Sequence, residues 1–470
     1  MTEHVSPNKF DQIELSEEFQ MGVVVDLHAH SSHAGGTSGS LDLSTAVKNM
    51  PKKGVKIIGT GDCLYPPWVA TLKAKLVDHD EDGVFEIKHA SEFEAQTKFV
   101  LQTELAFTAP IGDRRKNVHG VFLFPSFDAV DEAINIFKKL NIKNSLGRPF
   151  ITNNSTEEVA QKIHALLDID PLVEFFPAHV LVPLGIYGAN PPIEYMSDFF
   201  GDATERFHAF ETGLSADPTV TALIPELDKL TLLSNSDAHS AQLHRLGREL
   251  TSLDMKKLTI KELIDAIRRN KVCYTAEFHP SEGRYFLTGH KAGVKKHNIG
   301  EYCVFSPDET PDDRICPICG DKLQTGVLQR AIDLATIQGS DREYGKLYGP
   351  KRNFYRMVPL VEVLAFALNV KSPSAKSVTR LYNHIVTSLG TECKLWTTKL
   401  DALEEILSGL VEPKIADAII GVRKGHFCFE PPGYDGVYGE LVVGKTSTYK
   451  DIKIIESGSK KQLTMDDFMS

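Results

Sequence analysis

Two histidines separated by one residue stand in Asp26-Leu27-His28-Ala29-His30, and a second compact group, Ser236-Asp237-Ala238-His239, lies near mid-chain. Imidazoles at alternate positions of a strand end can turn the same way and chelate one ion, and neutral histidine suits zinc and similar divalent metals. Asp62, Glu104, His119 and His179 lie between the two groups. A carboxylate such as Glu104 or Asp237 can bridge two ions, and such an assembly activates water and neutralises charge on a phosphoryl group. A lone histidine is ordinarily a core residue satisfied by hydrogen bonds, but a set of this size favours ligation. Phosphoester chemistry is the expectation, with Asp237, Glu104 and His239 at its centre. Zn2+ is the expected cofactor, with Mn2+ or Mg2+ in part of the cluster.

A second group is sulfur-rich. Cys316-Pro317-Ile318-Cys319-Gly320 has the spacing of half a zinc knuckle, and Cys303 supplies a third sulfur. His290 or His297 is available as fourth ligand, and His290, in Thr-Gly-His, is the preferred one. Four protein ligands leave no open coordination position, so His290, Cys303, Cys316 and Cys319 are expected to form a structural zinc site. The seven cysteines are odd in number, which in a reducing compartment argues for metal binding over disulfides.

The elements that must position these residues alternate from about residue 22 to 280. Short apolar runs (Val23–Val25, Val55–Ile58, Lys98–Leu101, Gly120–Phe124, Val173–Phe176, Phe207–Phe210, Leu230–Leu233) read as strands, and amphipathic stretches such as Glu157–Leu167 and Ile260–Arg269 read as helices. His28 and His30, Asp62, Glu104, His179 and the Asp237/His239 pair each follow a strand, as polar residues do at the catalytic face of a (β/α) barrel. The chain then changes character. The expected organisation is a flexible N-terminus (1–21), a catalytic barrel (22–280), a zinc-binding module (281–330), a helical domain (331–455) and a disordered tail (456–470).

At 470 residues the chain can bury a sizeable core. Its net charge of −11 counts against a simple electrostatic nucleic-acid binder, although Arg114-Arg115-Lys116, Lys295-Lys296, Lys351-Arg352 and Arg423-Lys424 are local basic clusters. No apolar run is long enough to span a bilayer and the N-terminus lacks a signal-peptide profile, so an intracellular, cytoplasmic protein is expected.

Asp26-Leu27-His28-Ala29-His30, Thr60-Gly61-Asp62, Thr103-Glu104, Val118-His119-Gly120, Pro177-Ala178-His179 and Ser236-Asp237-Ala238-His239 resemble, in order, the motifs of the PHP (polymerase and histidinol phosphatase) superfamily. The resemblance implies a distorted (β/α)7 barrel with up to three metals, held by His28, His30, Asp62, Glu104, His119, His179, Asp237 and His239. Two positions depart from it. Cys63 stands where many members have a histidine, and His33 lies in a Ser/Gly-rich loop near a third N-terminal ligand of some members.

Gly213-Leu214-Ser215-Ala216-Asp217-Pro218, Thr275-x-Glu277-Phe278-His279-Pro280, the cysteine module and Pro432-Gly433-Tyr434-Asp435-Gly436 extend the likeness to nearly the whole chain, which is similar to the endonuclease Q family of DNA repair nucleases. That implies cleavage 5′ to deaminated bases (uracil, hypoxanthine, xanthine) or abasic sites in damaged DNA. An enzyme that reads such a base flips it into a pocket. Tyr187, Asn190, Tyr434 and Asp435 are candidates for that pocket. Arg114, Arg115, Lys116, Lys351 and Arg352 are candidates for holding phosphates. The terminal Gln462-Leu463-Thr464-Met465-Asp466-Asp467-Phe468-Met469 resembles the peptide by which repair enzymes dock on a trimeric sliding clamp, with Gln462, Met465, Phe468 and Met469 as contacts. Two other readings are a small-molecule phosphatase of histidinol-phosphate type and a non-catalytic, clamp-tethered scaffold. The first leaves the cysteine module and terminal peptide without a purpose, and the second predicts missing ligands.

Overall fold

The structure, a computed structural model, describes residues 22–37, 41–78, 82–293 and 297–457. The expected N-terminal segment, Lys295-Lys296 and the four clamp-contact residues lie outside the described residues.

The strands that carry the chemistry are β1 (Val23–Asp26), β2 (Ile57–Gly59), β3 (Lys98–Ile111), β4 (Arg114–Phe124), β5 (Phe150–Thr152), β6 (Glu174–Pro177), β7 (Ala209–Glu211), β8 (Thr231–Leu233), β9 (Leu250–Leu253) and β10 (Val272–Phe278). Beyond them run β11 (Thr288–His290), β12 (Tyr302–Phe305), β13 (Phe354–Met357), β14 (Phe427–Phe429), β15 (Leu441–Val443) and β16 (Lys453–Glu456). A nine-stranded mixed sheet has the order β13-β10-β9-β1-β2-β3-β4-β6, with β5 on β3. Pairing is parallel at β1–β2, β2–β3, β3–β5 and β10–β13, and antiparallel at β1–β9, β9–β10, β3–β4 and β4–β6. β7 and β8 form a separate parallel pair.

A shared inner layer unites these strands. Val25, Ile57, Val100, Val121, Phe176, Ala209, Leu233 and Leu253 contribute one buried side chain from each of β1, β2, β3, β4, β6, β7, β8 and β9. Leu263, Ile264 and Ile267 of the helix Ile260–Arg268 complete that layer. Each such burial stabilises by about 1.5–3 kcal/mol. The result is a rigid floor beneath the strand ends. The connecting helices are stopped by local chemistry. Leu43–Lys53, for example, is capped by Asp42, whose side chain accepts from Thr45 N, and ends at Gly54 with φ +95°.

Glu104, expected to follow a strand, and His119 are instead mid-strand residues. Both lie inside the long β3–β4 hairpin, opposite Val121 and Ala106 respectively. Antiparallel pairing runs on through both positions, so these side chains reach the site from mid-strand.

Later segments return to earlier ones. β13 pairs with β10 inside the central sheet, and β16 pairs with β12 in the three-stranded sheet β11-β12-β16. The helices Leu360–Ala367, Lys376–Leu389, Leu400–Leu410 and Pro413–Arg423 lie within the 331–455 segment expected to be helical. Among the described residues no helix is long and apolar enough to cross a membrane.

Candidate active site

The first and last motifs are bonded to each other. Leu27 N donates to Asn235 Oδ1 at 2.7 Å, Ser236 N donates to Asp26 Oδ1 at 3.0 Å, and His30 N donates to Ala238 O at 3.1 Å. These bonds bring His28, His30 and Asp237 together, with ligand atoms all within 4.8 Å of one another. Asp237 Oδ1 lies 3.6 Å from His28 Nε2 and 3.2 Å from His30 Nε2. Glu104, His119 and His179 form an adjoining group within the same 4.8 Å limit. Glu104 Oε1 lies 2.7 Å from His119 Nδ1 and 3.1 Å from His179 Nε2, and its Oε2 lies 3.4 Å from His30 Nε2. Glu104 thus sits between the two groups, where a bridging carboxylate would be needed.

Asp62, His179 and Asp237 hold left-handed backbone, with φ of 49°, 31° and 45°. Such strain costs about 1 kcal/mol or more per residue and gathers where side chains must be aimed. Asp62 stands behind His30, its Oδ1 3.4 Å from His30 Nδ1 and its Oδ2 accepting from Ser31 N at 2.8 Å. His239 Nδ1 donates to Asp237 O at 2.9 Å, which leaves its Nε2 for the cleft.

The electrostatics follow from burial. Burial opposes charge on His28, yet Glu211 and Asp237 outweigh it and lift the imidazole to about 9. Burial favours neutral carboxyls at Glu104 and Asp237, but His119 next to the first and His239 and His28 next to the second hold both well below the usual range. The donor set fits divalent cations on a separate observation. His28 Nε2, His30 Nε2 and Asp237 Oδ1 are buried, converge on one another and make no hydrogen bond. Leaving buried polar atoms unpaired costs about 1–3 kcal/mol each, a cost that ligation removes.

Three supporting residues were not singled out in the sequence. Glu211 ends β7 with both carboxylate oxygens 3.0 Å from His28 Nδ1, and it accepts from His179 N and Asn235 Nδ2 at 2.9 Å. It therefore fixes which nitrogen of His28 faces the cluster. An acidic residue at a strand end was its available signal. Arg148 Nη1 donates to Glu104 Oε2 at 3.0 Å from a loop that carried no such signal. Tyr438 lies two residues beyond the turn that was singled out.

A cleft of about 660 Å³ opens over the cluster, lined by His119, His179, Asp237 and His239 together with Arg245, Arg248, Arg284, Tyr285 and Tyr438. Several expected contacts are elsewhere. Tyr187 is fully buried with its hydroxyl on Glu226, and Tyr434 is buried and stacked on Tyr302 at 5.6 Å. Both rings are committed to packing, so neither offers a free face to a base. Asn190 accepts from Arg114 Nη1 at 2.6 Å, and Asp435 accepts from Lys291 N at 2.9 Å. Arg115 bonds Thr108 and Asn153 carbonyls, and the buried Lys116 bonds the Gly188 and Pro191 carbonyls. Arg352 donates to Leu227 O, while Lys351 is exposed. Cys63 is buried and its thiol is pushed well up by burial and by Asp62, a packed thiol and not a thiolate. His33 packs its ring against Tyr65 at 5.2 Å and Trp68 at 5.6 Å.

The sulfur-rich group also assembles, with one difference. His290, His297, Cys316 and Cys319 place ligand atoms within 4.8 Å of one another, whereas Cys303 Sγ lies outside that set, 3.7 Å from Cys316 Sγ. His297 enters because its Nδ1 bonds Glu301 O at 3.0 Å, which turns Nε2 to within 3.2 Å of Cys316 Sγ. Burial opposes the Cys316 thiolate, but the Cys319 amide and His290 prevail and lower it to about 6. Cys303 is instead raised to about 12 by burial and by Cys316.

No known family profile matches the chain. An uncharacterized protein of Methanocaldococcus jannaschii is 32% identical over 239 residues, covering 49% of this chain and 28% of its own length. The match thus spans little more than a quarter of that relative. An uncharacterized protein of Bacillus subtilis is 24% identical over 444 residues, covering 89% of this chain and 99% of that protein. Two crystal structures share the fold. The lesion-specific endonuclease PfuEndoQ from Pyrococcus furiosus has a TM-score of 0.71 at 29% identity, covering 90% of this chain and 96% of that one. Endonuclease Q in complex with a 27-mer duplex bearing an abasic lesion has a TM-score of 0.73 at 28% identity, covering 94% of this chain and 100% of that one. The likeness read from the ordered motifs therefore extends to the three-dimensional structure: this chain is a structural relative of endonuclease Q over nearly its whole length.

Proposed function

We propose that this chain is a metal-dependent, lesion-specific DNA endonuclease that cleaves the phosphodiester bond 5′ to deaminated bases or abasic sites in DNA repair. The observation that carries the reading is the convergence of two buried ligand groups at the floor of a cleft, in a fold shared with an endonuclease bound to an abasic-lesion duplex. We read the shared inner layer of strands as a distorted (β/α)7 barrel of the PHP kind, and the 281–330 segment as a zinc module stabilising the lobe that carries β16.

His28, His30 and Asp237 would hold one ion and Glu104, His119 and His179 another, with His239 and Asp62 at the margins. Divalent ions, zinc foremost, supply charge neutralisation at a phosphoryl group and a more acidic water when bound. The chain's own residues do the rest. Glu211 holds His28 in one tautomer, and Asp62 steadies His30. Arg148 lines the cleft while bonded to Glu104, so its remaining N–H groups can take a phosphoryl oxygen. The ligands at the floor are buried, and among the described residues the cleft opens over them. The trimeric sliding clamp, as a partner for Gln462, Met465, Phe468 and Met469, rests on the terminal sequence pattern alone.

The test is a labelled duplex carrying one uracil, hypoxanthine or abasic site, incubated across a zinc, manganese and magnesium titration. Nicking at the lesion that disappears with chelator is the expected result. Intact DNA throughout, with turnover of phosphomonoesters instead, would favour a small-molecule phosphatase.

A further inference from the structure

Two regions of the cleft carry opposite charge. At the floor, the carboxylates of Glu104, Asp237 and Glu211 surround the histidines. On the rim stand Arg245, Arg248 and Arg284. The rim arginines also differ from most others in the molecule. Arg148, Arg206, Arg268, Arg314, Arg342 and Arg356 each face a carboxylate. Arg245 and Arg284 instead both pack against one aromatic ring. Their guanidinium carbons lie 4.4 Å and 5.5 Å from the centroid of Tyr438. Arg284 is further fixed by donating from Nε to Gly436 O at 2.9 Å. Among the described residues neither guanidinium is in an ion pair, and both line the cleft.

Tyr438 is in turn tied to the metal-holding loop. Arg248, only 4% exposed, donates from Nη1 to the Tyr438 hydroxyl at 3.3 Å and from Nε to Ser236 O at 3.1 Å, and Ser236 directly precedes Asp237. Burial opposes phenolate character at Tyr438, but the surrounding arginines lower its pKa overall. Unpaired guanidinium groups packed around one ring repel one another unless an anion joins them. Guanidinium presents a planar fork of donors that matches phosphate oxygens.

We propose that Arg245, Arg284 and Tyr438 form a second phosphate subsite on the cleft rim, which seats a backbone phosphate adjacent to the scissile one. Arg248 sets the distance between that subsite and the Asp237 loop by bonding both. The proposal rests on the reading of the substrate as a phosphodiester polymer. It makes recognition two-pronged: the metals take the scissile linkage, and the rim measures its neighbour.

The test is a cycle of charge removal from both partners. Abasic-site duplexes are prepared with a neutral methylphosphonate at the linkage on either side of the scissile one. Wild type and Arg245→Gln/Arg284→Gln are compared on each duplex for binding by anisotropy and for nicking rate. One methylphosphonate position should weaken wild-type binding by about 10–100-fold, the usual worth of charge-assisted contacts. The double variant should bind the unmodified duplex as weakly, and lose nothing further at that position. Losses that multiply, or a wild type indifferent to both positions, would overturn the subsite. The two readouts separate this proposal from the one above. Coupled binding without nicking keeps the subsite and removes the endonuclease reading; nicking without coupling does the reverse.

Discussion

The two ligand clusters are built on opposite plans. The floor cluster draws its residues from strand ends and from the middle of the β3–β4 hairpin, spread from His28 to His239, mixes imidazole with carboxylate and opens to a cleft of about 660 Å³. The module cluster draws His290, His297, Cys316 and Cys319 from one short segment and mixes imidazole with sulfur. It is enclosed by its own small core of Cys303, Phe305, Cys316 and Leu323. An open site of hard and borderline donors suits reaction at a phosphoryl group, and a closed sulfur-rich site suits holding a fold together. One cluster should therefore govern rate and the other stability.

Four substitutions can break or sharpen that contrast. Asp237→Asn should lower the nicking rate by about 10³-fold or more, with thermal midpoint and circular dichroism unchanged. Comparable nicking by this variant would remove Asp237 from the site. Glu211→Gln should weaken metal affinity by about 10–100-fold through loss of His28 orientation. Titrating metal against nicking rate reads this directly, and full recovery at excess metal separates it from loss of a ligand. Cys316→Ser should do the reverse of both. It should lower the thermal midpoint by roughly several degrees while the metal dependence of nicking below that midpoint stays unchanged.

The smallest effect concerns Glu277, buried behind the floor and bonded by Ser234 and Thr275. Burial raises its carboxyl from 4.5 to about 8, so at neutral pH the folded chain holds a proton that the unfolded chain releases. The unfolded state binds fewer protons across that window, so this residue's contribution to stability falls as pH rises from about 4.5 to about 8. Glu277→Gln keeps the hydrogen bonds without the titration. Its urea midpoint should exceed wild type's at pH near 8 and approach it near 5, and an unchanged difference across that range would count against the buried acid.

The floor cluster was legible because ligand types recur in order along the chain, most of them at strand ends. Glu211 carried the same signal and was passed over because its partner, His28, lies far away in sequence. Arg148 and the rim arginines reach the cleft from loops, where nothing in local spacing announces a role. The aromatic residues misled for a physical reason. Tyr187 and Tyr434 stand beside glycines, as a base platform would, but the same pattern packs a ring under a tight turn. In the module, the cysteine pair fixed the place of the site but not the choice among His290, His297 and Cys303. The hydrogen bond that His297 donates to Glu301 O, which turns the ring inward, depends on a fold the spacing does not encode. The mixed sheet was the least legible part, since β9, β10 and β13 join it from well beyond the first strands.

The central claim is that the metal cluster serves lesion-directed strand cleavage. Single-turnover nicking of paired duplexes, identical except for one abasic site or uracil and resolved to the nucleotide, tests it most directly. The account predicts one metal-dependent nick on the 5′ side of the lesion and none in the undamaged duplex. Equal cutting of both duplexes, or no cutting of either at any metal concentration, would contradict it.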